Sequence, residues 1–228
     1  KKVKMFKHLN TKLEYDDLEA ETSSTGRVYT TPTGTKYPSI TTVLSILSED
    51  GIRAWRQRVG EEEATRISTR AANRGTAVHS ITERYINNEV DYAKDFMPNI
   101  IGNFTDLKSI LDERLNNIRA QEVPLYSDHL RVAGRVDCVG EFDGILSIVD
   151  FKTSRKLKKK EWITNYFAQE AAYAIMWEER TGEPITQLVT LITVDNEQPQ
   201  VFIEHRDNWT ELLLKTRDEY ERRKLFGH

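Results

Sequence analysis

Residues 132–152, VAGRVDCVGEFDGILSIVDFK, constrain the fold of this chain more than any other segment. Two alternating apolar runs flank Asp143-Gly144, which is the strongest short-range signal for a two-residue hairpin turn. If these two residues form the turn, Asp137 faces Asp150 across the hairpin. Opposed side chains on one face of an antiparallel pair have Cβ atoms about 4.5–5.5 Å apart, so the two carboxylates repel each other unless a cation lies between them.

The second strand of this hairpin predicts a site for a divalent cation. Strand alternation places Lys152 on the same face as Asp150. Apolar residues on both faces predict that the strand is central in its sheet; they are Ile145, Ile148, Val149 and Phe151. Buried charges are paired or bound to a metal, and hard oxygen ligands favour Mg²⁺ or Mn²⁺. The alternative is a pair of solvated aspartates on a wet face.

The composition excludes several classes of protein. The chain has 228 residues, of which 38% are hydrophobic and 30% charged, as expected of a soluble globular domain. No apolar run is long enough to span a bilayer, and residues 1–10 do not resemble a secretory signal. A single cysteine, Cys138, predicts a reducing compartment such as the cytoplasm and excludes a cysteine-ligated iron–sulfur cluster. A net charge of −3 means that nucleic-acid binding must depend on local patches.

Periodicity predicts a helical segment followed by a sheet. Residues 1–37 are expected to form a mobile start and a short hairpin. The predicted helices cover residues 53–90, 99–119, 162–180 and 208–223, and the predicted strands outside the central hairpin cover residues 122–127, 186–195 and 200–205. Pro124 indicates that the strand over 122–127 lies at an edge. The helical residues 39–119 are expected to lean on an α/β core.

Four further features are candidates for function, each with an ordinary structural alternative. Ser39 or Thr41 can cap a helix or hold a phosphate, and His79 can pair with Glu83 one turn later or bind a metal. Six of the nine residues 152–160 are cationic, including Arg155 and Lys156, and the run either is a solvated surface or meets a polyanion. Gln169 and Tyr173 share one helical face, where a buried glutamine needs a polar partner.

These motifs together resemble those of the PD-(D/E)XK nuclease superfamily. The family pattern GxxD, DxK and QxxxY is matched by Gly134-Arg135-Val136-Asp137, by Asp150-Phe151-Lys152 and by residues 169–173, QEAAY. An upstream helix histidine is matched in residues 74–79, RGTAVH. More narrowly, the chain is similar to the RecB-like exonuclease branch, which includes phage exonucleases and the mitochondrial genome maintenance exonuclease. The match covers residues 74–173, near half of the chain.

The resemblance implies a role for each matched position. Asp137, Asp150 and Lys152 would be catalytic, with both aspartates as metal ligands. His79 and the backbone carbonyl of Phe151 would complete the metal site. Gln169 and Tyr173 would contact the nucleic acid backbone or support the site. Further contacts to nucleic acid are expected from Arg74, from Ser39 and Thr41 in a segment that resembles a phosphate-binding one, and from Arg155 and Lys156 in the basic run. Glu122 would be an acid that supports the ligands from outside.

We therefore expect a restriction-endonuclease-like α/β fold, in which a mixed sheet is flanked by helices. Residues 1–228 would form a single nuclease domain, with a helical segment over 38–119 beside the active site and a catalytic core over 120–228. The expected function is Mg²⁺-dependent DNA exonuclease activity on single-stranded ends, with Mn²⁺ as a substitute metal. This function fits a role in DNA repair or recombination, with replication or recombination proteins as partners. The compartment that fits best is the cytoplasm, including that of a host cell infected by a phage, and the mitochondrial matrix fits less well.

Three alternatives remain open from the sequence. The first is a double-strand exonuclease of the phage recombination type, and the second is a structure-specific endonuclease. The third is a catalytically silent DNA-binding module. The intact acid–acid–lysine set argues against the third, because a retired site has no reason to keep facing carboxylates.

Overall fold

The computed structural model describes residues 3–227, which form eight strands and six helices. The strands are β1 (Glu19–Ser23), β2 (Gly26–Thr30), β3 (Lys36–Pro38), β4 (Leu115–Ser127), β5 (Val132–Phe142), β6 (Ile145–Ser154), β7 (Gln187–Val194) and β8 (Gln200–His205). The helices are α1 (Ile40–Leu44), α2 (Glu49–Val59), α3 (Glu61–Ile86), α4 (Pro98–Arg114), α5 (Thr164–Thr181) and α6 (Thr210–Phe226). Short 3₁₀ segments cover Ser45–Ser48, Lys160–Trp162 and Arg206–Asn208.

The central sheet has five strands in the order β4-β5-β6-β7-β8. Only β6 and β7 pair in parallel, so the sheet is mixed, and β6 is its middle strand as predicted. Asp143 and Gly144 have φ angles of 55° and 79°. Positive φ at both central residues is the signature of a type I′ turn, whose twist suits a two-residue hairpin. The predicted register is confirmed from Phe142 opposite Ile145 to Cys138 opposite Val149.

Helices cover both faces of the sheet. Helices α1, α5 and α6 pack on one face through a core that includes Ile40, Trp177 and Leu213. Helices α3 and α4 pack on the other face through a core that includes Val78 and Phe104. The predicted mixed sheet with flanking helices is confirmed, and no helix among residues 3–227 is long and apolar enough to cross a membrane.

The predicted helix over residues 99–119 is wrong at its C-terminal end. Helix α4 ends at Arg114, and the edge strand β4 begins at Leu115. Leu115 and Ile118 continue the apolar helical spacing of α4, but Leu115 pairs with Phe142 of β5. Ile118 exchanges two backbone hydrogen bonds with the N-terminal segment, one to Lys7 O and one from Leu9 N, both 2.8 Å long. Long-range backbone pairing thus overrides the local periodicity.

The N-terminal segment is packed against the domain, whereas the sequence predicted a mobile start. Phe6 is only 3% exposed, and its backbone N–H and C=O both bond to the side-chain amide of Asn88. Residues 1 and 2 lie outside the described residues. The predicted hairpin is present in a three-stranded sheet of β1, β2 and β3, in which Tyr29 pairs with Tyr37.

The long helical stretch predicted over residues 53–90 is present as two helices. Gly60 has a φ angle of 98° and separates α2 from α3. No residue of α2 is buried, and in α3 only Ala64 is buried before Val78. Helix α2 and the N-terminal half of α3 therefore lie outside the core, and only the C-terminal half of α3 packs on the sheet.

Candidate active site

The candidate active site lies where β5 and β6 separate. The β5–β6 ladder ends at Cys138 and Val149. Beyond this pair, β5 continues its pairing with β4, and β6 continues its pairing with β7 up to Ser154. The two strands therefore diverge and leave a fork in the sheet. Asp137 and Asp150 are the first residues beyond the last pair, so the fork begins at the two predicted catalytic aspartates.

The two aspartates are buried and make different contacts. Asp137 is 8% exposed and Asp150 is 2% exposed. The backbone N–H of Phe151 donates a hydrogen bond of 2.9 Å to Oδ2 of Asp137. Oδ2 of Asp150 lies 3.0 Å from the Lys152 ammonium, but it has no well-aligned hydrogen bond among the described residues. Asp150 thus keeps a buried acceptor atom that is not fully satisfied.

His79 reaches the fork from the opposite face of the sheet. It lies on α3, one turn after Gly75, whose Cα is close enough to β6 that an added Cβ would lie 3.7 Å from Thr153 Oγ1. In the tautomer with a proton on Nε2, His79 donates to the backbone carbonyl of Phe151 at 2.5 Å. The same Nε2 lies 3.6 Å from Oδ2 of Asp137. The structure thus brings His79, Asp137 and the Phe151 carbonyl together at the fork. Asp150, the fourth predicted ligand, lies beside them with its Oδ2 directed to Lys152.

Glu122 joins this cluster from the edge strand β4. The β4–β5 register, with Gln121 opposite Cys138 and Val123 opposite Val136, places Glu122 opposite Asp137. Glu122 has a φ angle of 49°, in the left-handed region that non-glycine residues seldom adopt. Arg135 Nη1 donates to its backbone carbonyl at 2.5 Å. Strained backbone of this kind concentrates at functional sites, where the surroundings hold it in place.

The carboxylates of the cluster influence one another electrostatically. Burial, followed by repulsion from Asp150, raises the pKa of Asp137 well above its usual range. Burial also raises the pKa of Glu122 to about 7, with a further contribution from Glu83. Burial alone would raise the pKa of Asp150, but the Lys152 ammonium and the hydrogen bond with Asp137 outweigh it and lower this pKa. Excess negative charge therefore collects at the fork, where it favours a bound proton or cation.

Lys152 remains protonated in this field. Burial would lower the pKa of its ammonium, but the carboxylates of Asp150 and Asp137 outweigh burial and raise it. The lysine also donates to Gln169 Oε1 at 3.2 Å, and Gln169 Nε2 donates to the Tyr173 hydroxyl at 3.1 Å. The predicted face of α5 is thus bonded to the catalytic strand, and the buried glutamine has its polar partners.

The other predicted nucleic-acid contacts fall into two groups. Arg74 is engaged within the protein, because its guanidinium donates to Asp195 Oδ2 at 2.8 Å and to Ser154 O at 2.9 Å. Ser39 is 3% exposed and caps α1 by accepting a hydrogen bond from Thr42 N. Arg155 and Lys156, in contrast, are exposed just after β6, and Thr41 is exposed in the first turn of α1.

Two acidic side chains near the fork, Glu122 and Glu170, make contacts that the sequence did not predict. Ligand atoms of His79, Glu122 and Asp137 lie within 4.8 Å of one another, so Glu122 can bind directly what it was expected only to support. Its place opposite Asp137 follows from β4 beginning at Leu115, where the apolar spacing predicts a helix. Glu170 is fully buried beside Gln169 and accepts hydrogen bonds from Thr190 Oγ1 at 2.9 and 2.6 Å.

The donor set fits a hard divalent cation. Ligand atoms on opposite sides of a Mg²⁺ ion are about 4.2 Å apart, because each bond is about 2.1 Å long. The spacing within 4.8 Å of the three candidate ligand atoms is of this size. The under-satisfied Oδ2 of Asp150 and the raised pKa values of Asp137 and Glu122 are further signs of a site that a cation would stabilise.

Comparison with known proteins assigns the family. Residues 47–225 match the family model described as the PD-(D/E)XK nuclease superfamily. The chain belongs to this superfamily. The match spans most of the 228 residues and includes the helix with His79, the fork and α5. The restriction-endonuclease-like fold follows from membership, and enzymes of this superfamily use divalent metals.

Solved structures add little to this assignment. One, described as "Putative exonuclease" from Eubacterium rectale, has 16% sequence identity and a TM-score of 0.43. The match covers 67% of this chain and 66% of that chain, slightly less than two thirds of its length. Another, described as SSO0001, has 12% identity and a TM-score of 0.34, with coverage of 64% and 74%. Both TM-scores are below 0.5, so neither likeness carries an argument. No match is found among curated proteins.

Proposed function

We propose that this protein is a Mg²⁺-dependent exodeoxyribonuclease that hydrolyses phosphodiester bonds from the ends of single-stranded DNA. The observation that carries the proposal is the fork, where Asp137, Asp150 and the Phe151 carbonyl meet His79 on one side and Lys152 on the other. Residues 38–119 would border the DNA path and residues 120–228 would carry the chemistry, within one nuclease domain.

Asp137, Asp150, His79 and the Phe151 carbonyl would hold the cation, with Glu122 as a further carboxylate ligand. A bound divalent cation polarises a phosphoryl oxygen and lowers the pKa of water, which produces a nucleophile at neutral pH. The binding of the cation requires that Asp137 and Glu122 lose their protons, because only the ionised carboxylates are ligands.

Lys152 would stabilise the charge that develops on the phosphoryl oxygens. The neighbouring carboxylates keep it protonated, so it acts as a cation rather than as a proton acceptor. Gln169 accepts a hydrogen bond from it and thereby fixes the direction of the ammonium. Tyr173 in turn positions Gln169, and Arg155 and Lys156 are free to contact the DNA backbone beyond the end of β6.

The preference for single-stranded ends is supported by the resemblance to the RecB-like branch and by the helical segment of α2 and α3. This segment lies next to the fork, because the C-terminal half of α3 supplies His79. A helical segment beside the active site can block a stiff duplex and admit only a flexible single strand. Three points stay predictions from the sequence: the compartment, the replication or recombination partners, and a phage origin.

The test is cleavage of a linear single strand labelled at its 5′ or 3′ end, in Mg²⁺, in Mn²⁺ and in EDTA. We expect metal-dependent loss of the linear strand, with a circular single strand and a blunt duplex spared. Lys152→Ala and Asp150→Asn should abolish cleavage. Lys215→Ala, which removes an exposed lysine of α6, is the matched control and should cleave normally.

Each alternative has its own outcome in this assay. Cutting of the circle would replace the proposal with an endonuclease, and a preference for the blunt duplex would replace it with a recombination-type exonuclease. Binding without cleavage in every lane, unchanged by EDTA, would indicate a silent DNA-binding module.

A further inference from the structure

Two aromatic side chains lie at the N-terminal end of α5, the half-buried Tyr166 within the helix and the exposed Trp162 just before it. Tyr166 lies three residues before Gln169 and seven before Tyr173, so all three share one face of the helix. Trp162 precedes the helix in the 3₁₀ segment Lys160–Trp162 and is 61% exposed. We call Trp162 and Tyr166 the aromatic shelf. Neither residue belongs to the motifs that carry the proposed chemistry.

A lysine stands over each ring of the shelf. The catalytic Lys152 has its Nζ 4.7 Å from the ring centroid of Tyr166. Lys159 has its Nζ 5.0 Å from the ring centroid of Trp162. Ammonium groups at this distance are attracted to the face of an aromatic ring. Each flat ring of the shelf therefore has a positive charge beside it, and the charge beside Tyr166 is the catalytic ammonium of Lys152.

Backbone hydrogen bonds hold the turn that carries the two shelf residues. Trp162 N donates to Lys159 O at 3.0 Å, and Tyr166 N donates to Ile163 O at 2.9 Å. Ile163, between the two rings, is 2% exposed and anchors the turn in the core. The exposed indole thus belongs to a hydrogen-bonded turn that the buried Ile163 holds against the core.

The charge around the shelf favours a polyanion as its partner. Residues 155–160 contain five cations, and among them Lys160 pairs with Glu204 at 3.0 Å. An apolar protein surface would not complement this charge. A nucleic acid supplies both phosphates for the ammonium groups and flat bases for the rings. Only an unpaired strand offers its base faces to side chains, since the bases of a duplex are stacked on each other.

We propose that the aromatic shelf binds the unpaired bases of a single strand next to the bond that is cleaved, with one base stacked on Trp162 and its neighbour on Tyr166. This inference rests on the proposed function for the position of the cleaved bond. It adds the residues that select single-stranded substrate, and it assigns them to α5 and the turn before it.

The first experiment compares Trp162→Ala with Phe226→Ala, which removes an aromatic side chain of α6 that is 68% exposed. Loss of one base–aromatic stack weakens binding about 5- to 150-fold. We expect Trp162→Ala to raise KM for a single strand by such a factor with kcat retained, Trp162→Phe to restore most of the affinity, and Phe226→Ala to change neither constant. An unchanged KM in Trp162→Ala would overturn the proposal.

The second experiment locates the stacked base. Binding is measured with a set of single strands that each carry one abasic nucleotide, for the wild-type chain in EDTA and for Asp150→Asn in Mg²⁺, conditions that prevent cleavage under the proposed function. We expect the abasic nucleotide to weaken binding at one or two positions near the end. In Trp162→Ala an abasic nucleotide at one of these positions should no longer weaken binding, because the indole ring on which that base stacked is absent. Equal abasic losses in both chains would contradict stacking on Trp162.

Tyr166 is tested by its ring and its hydroxyl separately. Tyr166→Phe keeps the ring under the Lys152 ammonium and should retain the KM of the wild type. Tyr166→Leu removes the ring and should raise KM for single strands, with thermal unfolding measured in parallel. Equal activity of the Leu and Phe variants would remove Tyr166 from the shelf and overturn its part of the proposal.

The two proposals fail in different ways. Cleavage of single strands that is indifferent to Trp162 would leave the exonuclease and overturn the shelf. Binding that depends on Trp162 without any cleavage would leave the shelf and overturn the exonuclease. Absence of single-strand binding in both cleavage-free conditions would overturn the shelf.

Discussion

Gly134, the first residue of the GxxD motif, has a packing role that a single substitution can measure. It lies in β5 opposite Leu125 and beneath α5. A Cβ atom added there would lie 2.9 Å from Cε1 and 3.2 Å from the hydroxyl oxygen of Tyr173, and 3.0 Å from Cγ2 of Ile40. Real Cβ contacts are longer than this, so Gly134→Ala must displace an aromatic ring that is only 3% exposed.

The expected cost follows from two opposing effects. Inserting a methyl group into a well-packed core destabilises a protein by about 1–3 kcal/mol. Replacing glycine by alanine restricts the unfolded chain, which stabilises the folded protein by about 0.4–1 kcal/mol where the backbone allows alanine, as this ordinary strand position does. The net loss should be about 1–2 kcal/mol, which lowers Tm by about 2–8 °C in a domain of this size.

Thermal unfolding followed by circular dichroism measures this loss, with Gly102→Ala as the matched control. Gly102 is exposed within α4 and nothing lies within 4 Å of an added Cβ. The control should gain up to about 1 kcal/mol, because alanine is the better helix former. Gly134→Ala should also cleave more slowly, since Tyr173 positions Gln169 and through it Lys152. A Gly134→Ala chain as stable and active as the wild type would refute the packing argument.

Three further predictions concern charged groups. Arg74→Ala should lower stability by about 2 kcal/mol through the lost charged hydrogen bonds, as measured by urea unfolding, whereas the double change Arg155→Ala with Lys156→Ala should raise KM for DNA and leave stability unchanged. Mg²⁺ affinity measured by calorimetry should fall as pH drops through about 7, where the carboxyl group of Glu122 gains a proton, and Glu122→Gln should flatten this dependence. Burial raises the pKa of Glu170, so the folded chain holds a proton that the unfolded chain releases as pH rises. Glu170→Gln should therefore become steadily more stable relative to wild type as pH rises above the usual carboxyl range in unfolding titrations.

Local signals in the sequence predicted the parts of the fold that are set by local chemistry. The Asp143-Gly144 turn fixes its own hairpin register, which placed the two aspartates and Lys152 correctly on one face. The boundary of α4 could not be predicted in this way, because Leu115 and Ile118 suit a helix and a strand equally well. Their state is decided by β5 and by the N-terminal segment, which are distant in sequence.

The sequence predicted which residues meet at the candidate site, but it did not predict how the strands hold them there. Facing carboxylates suggested two aspartates held in a continuous ladder, whereas the ladder stops just before them. Glu122 was expected only to support the ligands, because its φ angle of 49° and its place opposite Asp137 depend on the path of β4. A sequence shows which residues a turn places together, but the divergence of strands is a property of the whole sheet.

The fork gives Asp137 two tasks that follow from one position. At the end of a ladder the next backbone N–H loses its strand partner, and a buried N–H without an acceptor is costly. Here the carboxylate of Asp137 accepts from Phe151 N, so it closes the ladder and also turns its charge toward His79. Asparagine at this position can still accept that hydrogen bond through its carbonyl oxygen, but it removes the charge. Asp137→Asn should therefore keep the hydrogen bond from Phe151 N and lose the cation, whereas Asp137→Ala should lose the hydrogen bond and the cation. Equal stability of the two metal-free variants in urea unfolding would show that this side chain does not hold the two strands together.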